Sequence, residues 1–425
     1  MNQKFRIVIG LLIIAVVLAG CGNEATENNQ QLSLEAHIVS VANMELPVKK
    51  IIGFGEATHG NKQFTQLKQE LFQRLVEEQA YRVFAIEGDF GGGQKVNEYI
   101  HGGAGTAQEA AKEIGFAIYK TEEMAELLAW MRAYNERLGA EDKIHFYGFD
   151  MQRYDNNKEG LFSYLREVDE ALASRYESEL KDLNDESVYD QSKAVIQAGL
   201  ASVSELIDVI KARKDIYVAR SSEKEYELSL AFAEAIKQNA TLQGTNANYL
   251  NTRDQYMAEK VEWIQAYEQK HYGRENLFIT GHNGHIEKTS ATAGMKACMG
   301  EHLSNTFGDE YYAIGSEFYE SIFLAVDAST EERKEFQVLN KSGDRLVNRF
   351  AATTMEVGSL DFAKASEEEG FMAYLNQAQP VSAIGATFSK QYEKVEKMYT
   401  LKLVPAKAFN SMIFVRTATP STMLE

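Results

Sequence analysis

The chain contains only two cysteines and four prolines among 425 residues. Two cysteines cannot build a disulfide framework, and these two lack the spacing of a cysteine zinc site. Prolines at 47, 380, 405 and 420 leave the long stretch between them free for uninterrupted helices. Positive charge is scarce: 44 Lys and Arg face 62 Asp and Glu, a formal net charge of −18. A surface this acidic repels phosphate backbones and excludes general nucleic-acid binding. No Gly-x-Ser-x-Gly elbow, P-loop or dinucleotide glycine fingerprint occurs, which disfavours an ordinary serine hydrolase and nucleotide chemistry. Hydrophobic residues (44%) and charged residues (25%) stand in globular proportion, so wholesale disorder is excluded.

The long apolar run is confined to the start. Lys4 and Arg6 precede an apolar stretch over residues 7–19, and Leu18-Ala19-Gly20-Cys21 ends it. Thirteen residues suit a signal sequence and fall short of the roughly 20 that span a bilayer. Small residues before a cysteine resemble the lipobox of bacterial lipoproteins. That resemblance implies a signal peptide over 1–20 and a lipidated Cys21, with an ordinary secretory signal as the plainer reading. A flexible polar tether is expected over 21–40, then one domain over 41–425. The protein is accordingly expected on the extracytoplasmic face of the cell membrane, held by its lipid.

Beyond residue 48, short apolar runs alternate with helical periodicity. Strands are expected at Lys50-Ile51-Ile52-Gly53-Phe54, Arg82-Val83-Phe84-Ala85-Ile86, Lys143-Ile144-His145-Phe146-Tyr147 and Asn276-Leu277-Phe278-Ile279. Helices are expected over 61–79, 107–116 and 121–138, and again after Glu287. Strands are also expected at 311–314, 322–326 and 412–415. The alternation implies an α/β fold with a mostly parallel central sheet flanked by helices. Residues 156–272 carry only helical periodicity. They read as an insertion between the third and fourth strands, either a cap or part of the outer helical layer.

Polar residues cluster where the four strands end. Glu56 and His59 follow the first, in Gly55-Glu56-Ala57-Thr58-His59-Gly60; Glu87 ends the second, Asp150 the third, and His282 and His285 follow the fourth. In an open α/β sheet that edge is where ligands bind. His145, inside a strand, reads as a core histidine, and His37, His271 and His302 as surface residues. Histidine and carboxylate side chains suit proton transfer to and from water. Direct attack of a His-activated water on an ester fits this set. Two alternatives stay open: a metal-dependent hydrolase or peptidase using Glu56, His59, His282 and His285 as ligands, and a non-catalytic solute-binding lipoprotein.

Gly55-Glu56-Ala57-Thr58-His59-Gly60, Ala85-Ile86-Glu87, Gly148-Phe149-Asp150-Met151-Gln152 and Gly281-His282-Asn283-Gly284-His285 resemble the erythromycin esterase family, whose members open macrolactone rings by hydrolysis. The resemblance implies an α/β core around a deep cleft and no required cofactor. It casts His59 as general base, Glu56 and Glu87 as its positioning acids, and His282 and His285 as the second side of the cleft. Lys68 stands where the family's resistance enzymes carry arginine, and Lys68 and Asp150 are expected to meet a small ester or lactone substrate. Phe409-Asn410 stands where the family reads Phe-Asp.

Overall fold

In the computed structural model, which describes residues 33–245 and 248–425, the four apolar runs become neighbouring parallel strands. In chain order the strands are β1 (Ile38–Val39), β2 (Ile51–Glu56), β3 (Val83–Asp89), β4 (His145–Asp150), β5 (Leu277–His282), β6 (Tyr311–Asp327), β7 (Arg333–Leu339), β8 (Val357–Asp361), β9 (Gln379–Ser382), β10 (Thr387–Phe388), β11 (Thr400–Leu403) and β12 (Ser411–Ala418). The main sheet runs β1-β8-β12-β6-β2-β5-β3-β4, with β7 and β10 added to β6; β9 and β11 pair separately. From β12 to β4 the neighbours are parallel, whereas β8, β1 and β7 pair antiparallel. The α/β class expected from sequence is the one observed.

Every residue of β2, β3 and β4 is buried, as strands covered on both faces require. The helix Lys62–Gln79 packs its apolar stripe on the sheet. Its Phe72 ring sits 5.1 Å from Phe84 and 5.8 Å from Phe278, joining helix to β3 and β5. Burying one such ring contributes about 1.5–3 kcal/mol.

Three segments differ from expectation. Residues 33–40 belong to the fold instead of the tether: Leu34 is buried, and Ile38 pairs with Leu360 of β8. The runs at 311–314 and 322–326 are one continuous strand, β6, because its polar middle finds buried partners: Glu317 meets Arg345, and Ser316 bonds Asn283 and Ala57. The helix expected after Glu287 begins only at Met299; Glu287 instead ties the intervening loop through the N–H groups of Thr289 and Ala291. Glycines hid a further helix, Phe90–Ile100. At Gly93 a Cβ would lie 2.2 Å from the Gly148 nitrogen, so the helix rests directly on the β4 backbone.

Residues 155–272 are helical throughout their regular segments, in six helices among the described residues. The last, Tyr249–Tyr272, packs on β4 and on Met299–Phe307, so the segment completes the outer layer of the same unit. Cys21 and the segment before Ser33 lie outside the described residues. Among the described residues no helix is long and apolar enough to cross a membrane.

Candidate active site

Parallel strands bring their carboxyl ends to one edge, and register decides which side chains meet there. Glu56 at the end of β2 pairs in register with His282 at the end of β5. On β3 a bulge intervenes: Ile86 pairs with Gly148 and Asp89 with Asp150, so three steps on β3 match two on β4. Glu87 lies within that bulge, which re-aims it toward β5. Residue 281 is a glycine, and a Cβ there would stand 3.0 Å from Glu87 Oε2. Glu87 Oε2 accepts the backbone N–H of His282 at 2.8 Å.

His59 sits on the turn after β2. The turn is fixed at both ends: Ala57 donates its N–H to Ser316 Oγ at 2.9 Å, and Gly60 touches β6 so closely that a Cβ would meet the Leu324 carbonyl oxygen at 2.1 Å. His59 Nδ1 thereby lies 3.4 Å from Glu56 Oε2, and Nε2 4.0 Å from Glu87 Oε2. The His59 and His282 ring centroids are 5.2 Å apart. Lys68 lays its ammonium against the other Glu56 oxygen, with both side chains buried.

The second side is held by the helix Tyr249–Tyr272. His285 Nδ1 donates to Asp254 Oδ1 at 2.8 Å, and its Nε2 stands 3.4 Å from Glu87 Oε1. Arg253 Nη2 donates to Glu87 Oε1 at 2.7 Å and to Asp150 Oδ2 at 2.6 Å. Arg253 Nη1 lies 3.1 Å from His285 Nε2, beside the carboxyl groups of Glu87, Asp150 and Asp254.

Burial opposes charge throughout, and local partners decide each outcome. Glu56 is buried, yet Lys68 and His59 hold its carboxyl below the ordinary value. Glu87 is held well below by His285, Arg253 and His59 against the same penalty. For His285 burial is outweighed by Asp254 and Glu87, which push it up to about 10. His282 goes the other way: burial, then the charges of His59 and His285, lower it to about 3. At neutral pH the site therefore combines ionised carboxylates, a cationic His285 and a neutral His282. His282 Nδ1 accepts the Gly284 N–H at 3.3 Å, which assigns the ring proton to Nε2. That buried Nε2 has no hydrogen-bond partner.

All seven expected site residues in the described chain converge here. Asp150, expected at the substrate, spends its carboxylate on Arg253 and on the Met151 N–H. Lys68 likewise meets Glu56, so both position other groups. Sequence reasoning missed Arg253, Asp254 and Tyr119. The first two stand in a charged helix where a solvated face is the ordinary reading; Tyr119 lies outside the strand-end clusters. His145 is a satisfied core histidine, 2.6 Å from Glu268. His37, His271 and His302 are half-buried rather than surface residues, the first two paired with Glu368 and Glu227. A separate cavity of about 920 Å³, between Phe90–Ile100, Asp155–Val168 and Glu223–Gly244, contains none of the site residues.

Among the described residues no group of three or more His, Cys, Asp or Glu side chains is arranged to hold a metal ion. The charges explain why: Lys68 occupies Glu56, and Arg253 occupies Glu87 and Asp150, where a cation would have to bind.

A family model described as erythromycin esterase matches residues 76–418. The chain belongs to the erythromycin esterase family. The matched span contains Glu87, Asp150, Arg253, His282 and His285, while Glu56, His59 and Lys68 precede it. Erythromycin esterase type II of Escherichia coli is 28% identical over 329 residues, covering 69% of this chain and 76% of its own. In fold, the chain is similar to a Bacillus cereus protein of known crystal structure (TM-score 0.79, 22% identity, covering 92% of this chain and 98% of that one). It is also similar to a histidine-to-asparagine variant of the erythromycin esterase EreC in its open conformation (TM-score 0.65, 14% identity, 89% and 93% covered). Membership places the chain among ester hydrolases.

Proposed function

We propose that the chain hydrolyses an ester or lactone by direct attack of a water activated by His59, with macrolactones as the substrate class its named relatives suggest. The observation that carries this reading is the His59–Glu56 pair, 3.4 Å apart, beside the unpartnered Nε2–H of His282. Glu56 faces His59 Nδ1, leaving Nε2 to take a proton from water, and Glu87 Oε2 at 4.0 Å helps hold that water. Hydroxide attacks the carbonyl carbon, the carbonyl π pair moves to oxygen, and His282 donates to the oxyanion without carrying charge itself. The intermediate collapses, and the His59 imidazolium returns its proton to the departing alkoxide.

Mass spectrometry of macrolides and other lactones after incubation with the enzyme should show a gain of one water. His59→Ala should abolish that gain while leaving the fold intact, since His59 stands on a turn and not in the apolar core. Turnover by His59→Ala at the native rate would remove the mechanism.

The reading extends to location: a lipid-anchored enzyme on the extracytoplasmic face of the cell membrane, supported by the small-small-Cys pattern ending at Cys21. Each buried methylene of an acyl chain adds roughly 0.8 kcal/mol of membrane affinity. Cys21→Ser should release the protein into the medium, and retention of that variant in membranes would refute the anchor.

A further inference from the structure

Tyr119 brings a polar group into the site that the proton-transfer scheme leaves unused. It ends the short 3-10 turn Ala117–Tyr119 and is 2% exposed. Its ring stands edge-on to His59, with centroids 6.4 Å apart, and Lys68 Nζ lies 5.2 Å from the ring centroid. Its hydroxyl is buried and has no hydrogen-bond partner. Burial, together with the carboxylates of Glu87, Glu56 and Asp150, holds the phenol well above its ordinary value. The hydroxyl is thus a neutral donor, in the field of the Glu56 and Glu87 carboxylates that flank His59 and bonded to neither.

An orphaned hydroxyl costs stability unless something else uses it. The charged donors nearby are committed, Lys68 to Glu56 and Arg253 to Glu87 and Asp150. His282 Nε2–H and the Tyr119 O–H are two buried donors in the cluster left without acceptors. An oxyanion that exists only during reaction supplies what both lack, and stabilisation there acts on the transition state instead of the ground state.

Resting on the hydrolytic reading, we infer that Tyr119 is a catalytic residue whose O–H is the second hydrogen-bond donor, beside His282, to the tetrahedral oxyanion. No proton leaves Tyr119: the carbonyl π pair moves onto oxygen as the water oxygen bonds to carbon, and the hydroxyl donates to that oxygen.

Tyr119→Phe keeps the ring against His59 and Lys68 and removes the hydroxyl alone. The expected result is a fall in kcat of about 100-fold with KM changed by less than about three-fold. The melting temperature should be unchanged or higher, because a buried unpartnered group is gone. A purely structural role would instead lower it. A second measurement does not depend on turnover: calorimetric titration of the full chain with an alkyl phosphonate monoester, a tetrahedral anionic probe. The variant should bind it at least about ten-fold more weakly than the wild type. Equal phosphonate affinity in the two proteins, no phosphonate binding by the wild type, or native kcat in the variant would each overturn the assignment. A wild-type enzyme that binds phosphonate through Tyr119 yet turns over no ester or lactone would retire the hydrolytic reading and leave the donor standing.

Discussion

Arg253 donates to Glu87 at 2.7 Å although 166 residues separate them in sequence. The same nitrogen reaches Asp150, so one guanidinium neutralises the acids at the ends of β3 and β4. Arg253→Ala would leave Asp150 buried without a counter-charge and Glu87 with only His285 and His59 beside it, which costs about 3–5 kcal/mol. Denaturant unfolding should show that loss together with loss of turnover. Arg253→Lys should recover part of the stability and little of the activity, because an ammonium lacks the further nitrogens, Nε on Asp150 and Nη1 beside His285. A change below about 1 kcal/mol in the alanine variant would mean the pair is no stronger than a surface one.

Lys68 is the chief local charge holding Glu56 ionised against its burial. Removing it in Lys68→Met raises the Glu56 carboxyl. The acid limb of the kcat/KM profile should then move to higher pH by on the order of one unit. Superimposable profiles would show that Glu56 does not depend on this partner.

His285 is raised in the folded state to about 10 from the ordinary 6.5. A raised basic group contributes stability fully below pH 6.5 and loses it as pH climbs through its folded value. The melting-temperature gap between the wild type and His285→Gln should therefore be widest at or below pH 6.5 and should narrow toward pH 10. A gap that widens with pH would contradict the assigned charge.

Residues 419–424 clasp two parts of the site. Ser421 donates its N–H to the Gly60 carbonyl at 3.1 Å, beside His59. Glu122 donates to Thr422 at 2.8 Å and Leu424 to Lys120 at 2.9 Å, beside Tyr119. Deleting residues 420–425 leaves every strand of the main sheet intact, so circular dichroism should keep its native form. Turnover should fall by on the order of ten-fold or more, because displacements of about 1 Å at reacting groups are that costly. Native kcat in the shortened chain would show that the turns hold themselves.

The strand ends could be read from sequence because apolar runs of β length stop at glycines and are followed by acids or histidines. Glu56, Glu87, Asp150, His282 and His285 all announced themselves in that way. Arg253 and Asp254 did not: on a charged helix, periodicity cannot tell a residue aimed inward from one in water. The helix Phe90–Ile100 was hidden because Gly91, Gly92 and Gly93 read as a turn, whereas they serve close contact with β4 and with Asn156-Asn157. β6 was split in two because Gly315-Ser316-Glu317 reads as a break, and only tertiary partners make that stretch tolerable inside a sheet.

The helices at 155–272 look like the part of the chain most open to trimming. Because the last of them carries Arg253 and Asp254, exchanging the segment for a short connection would spare the sheet and yet leave Asp150 without its counter-charge and take one partner each from Glu87 and His285. A minimised enzyme, or one redesigned for new substrates by swapping this region, must therefore transplant that arginine–aspartate pair as fixed cargo.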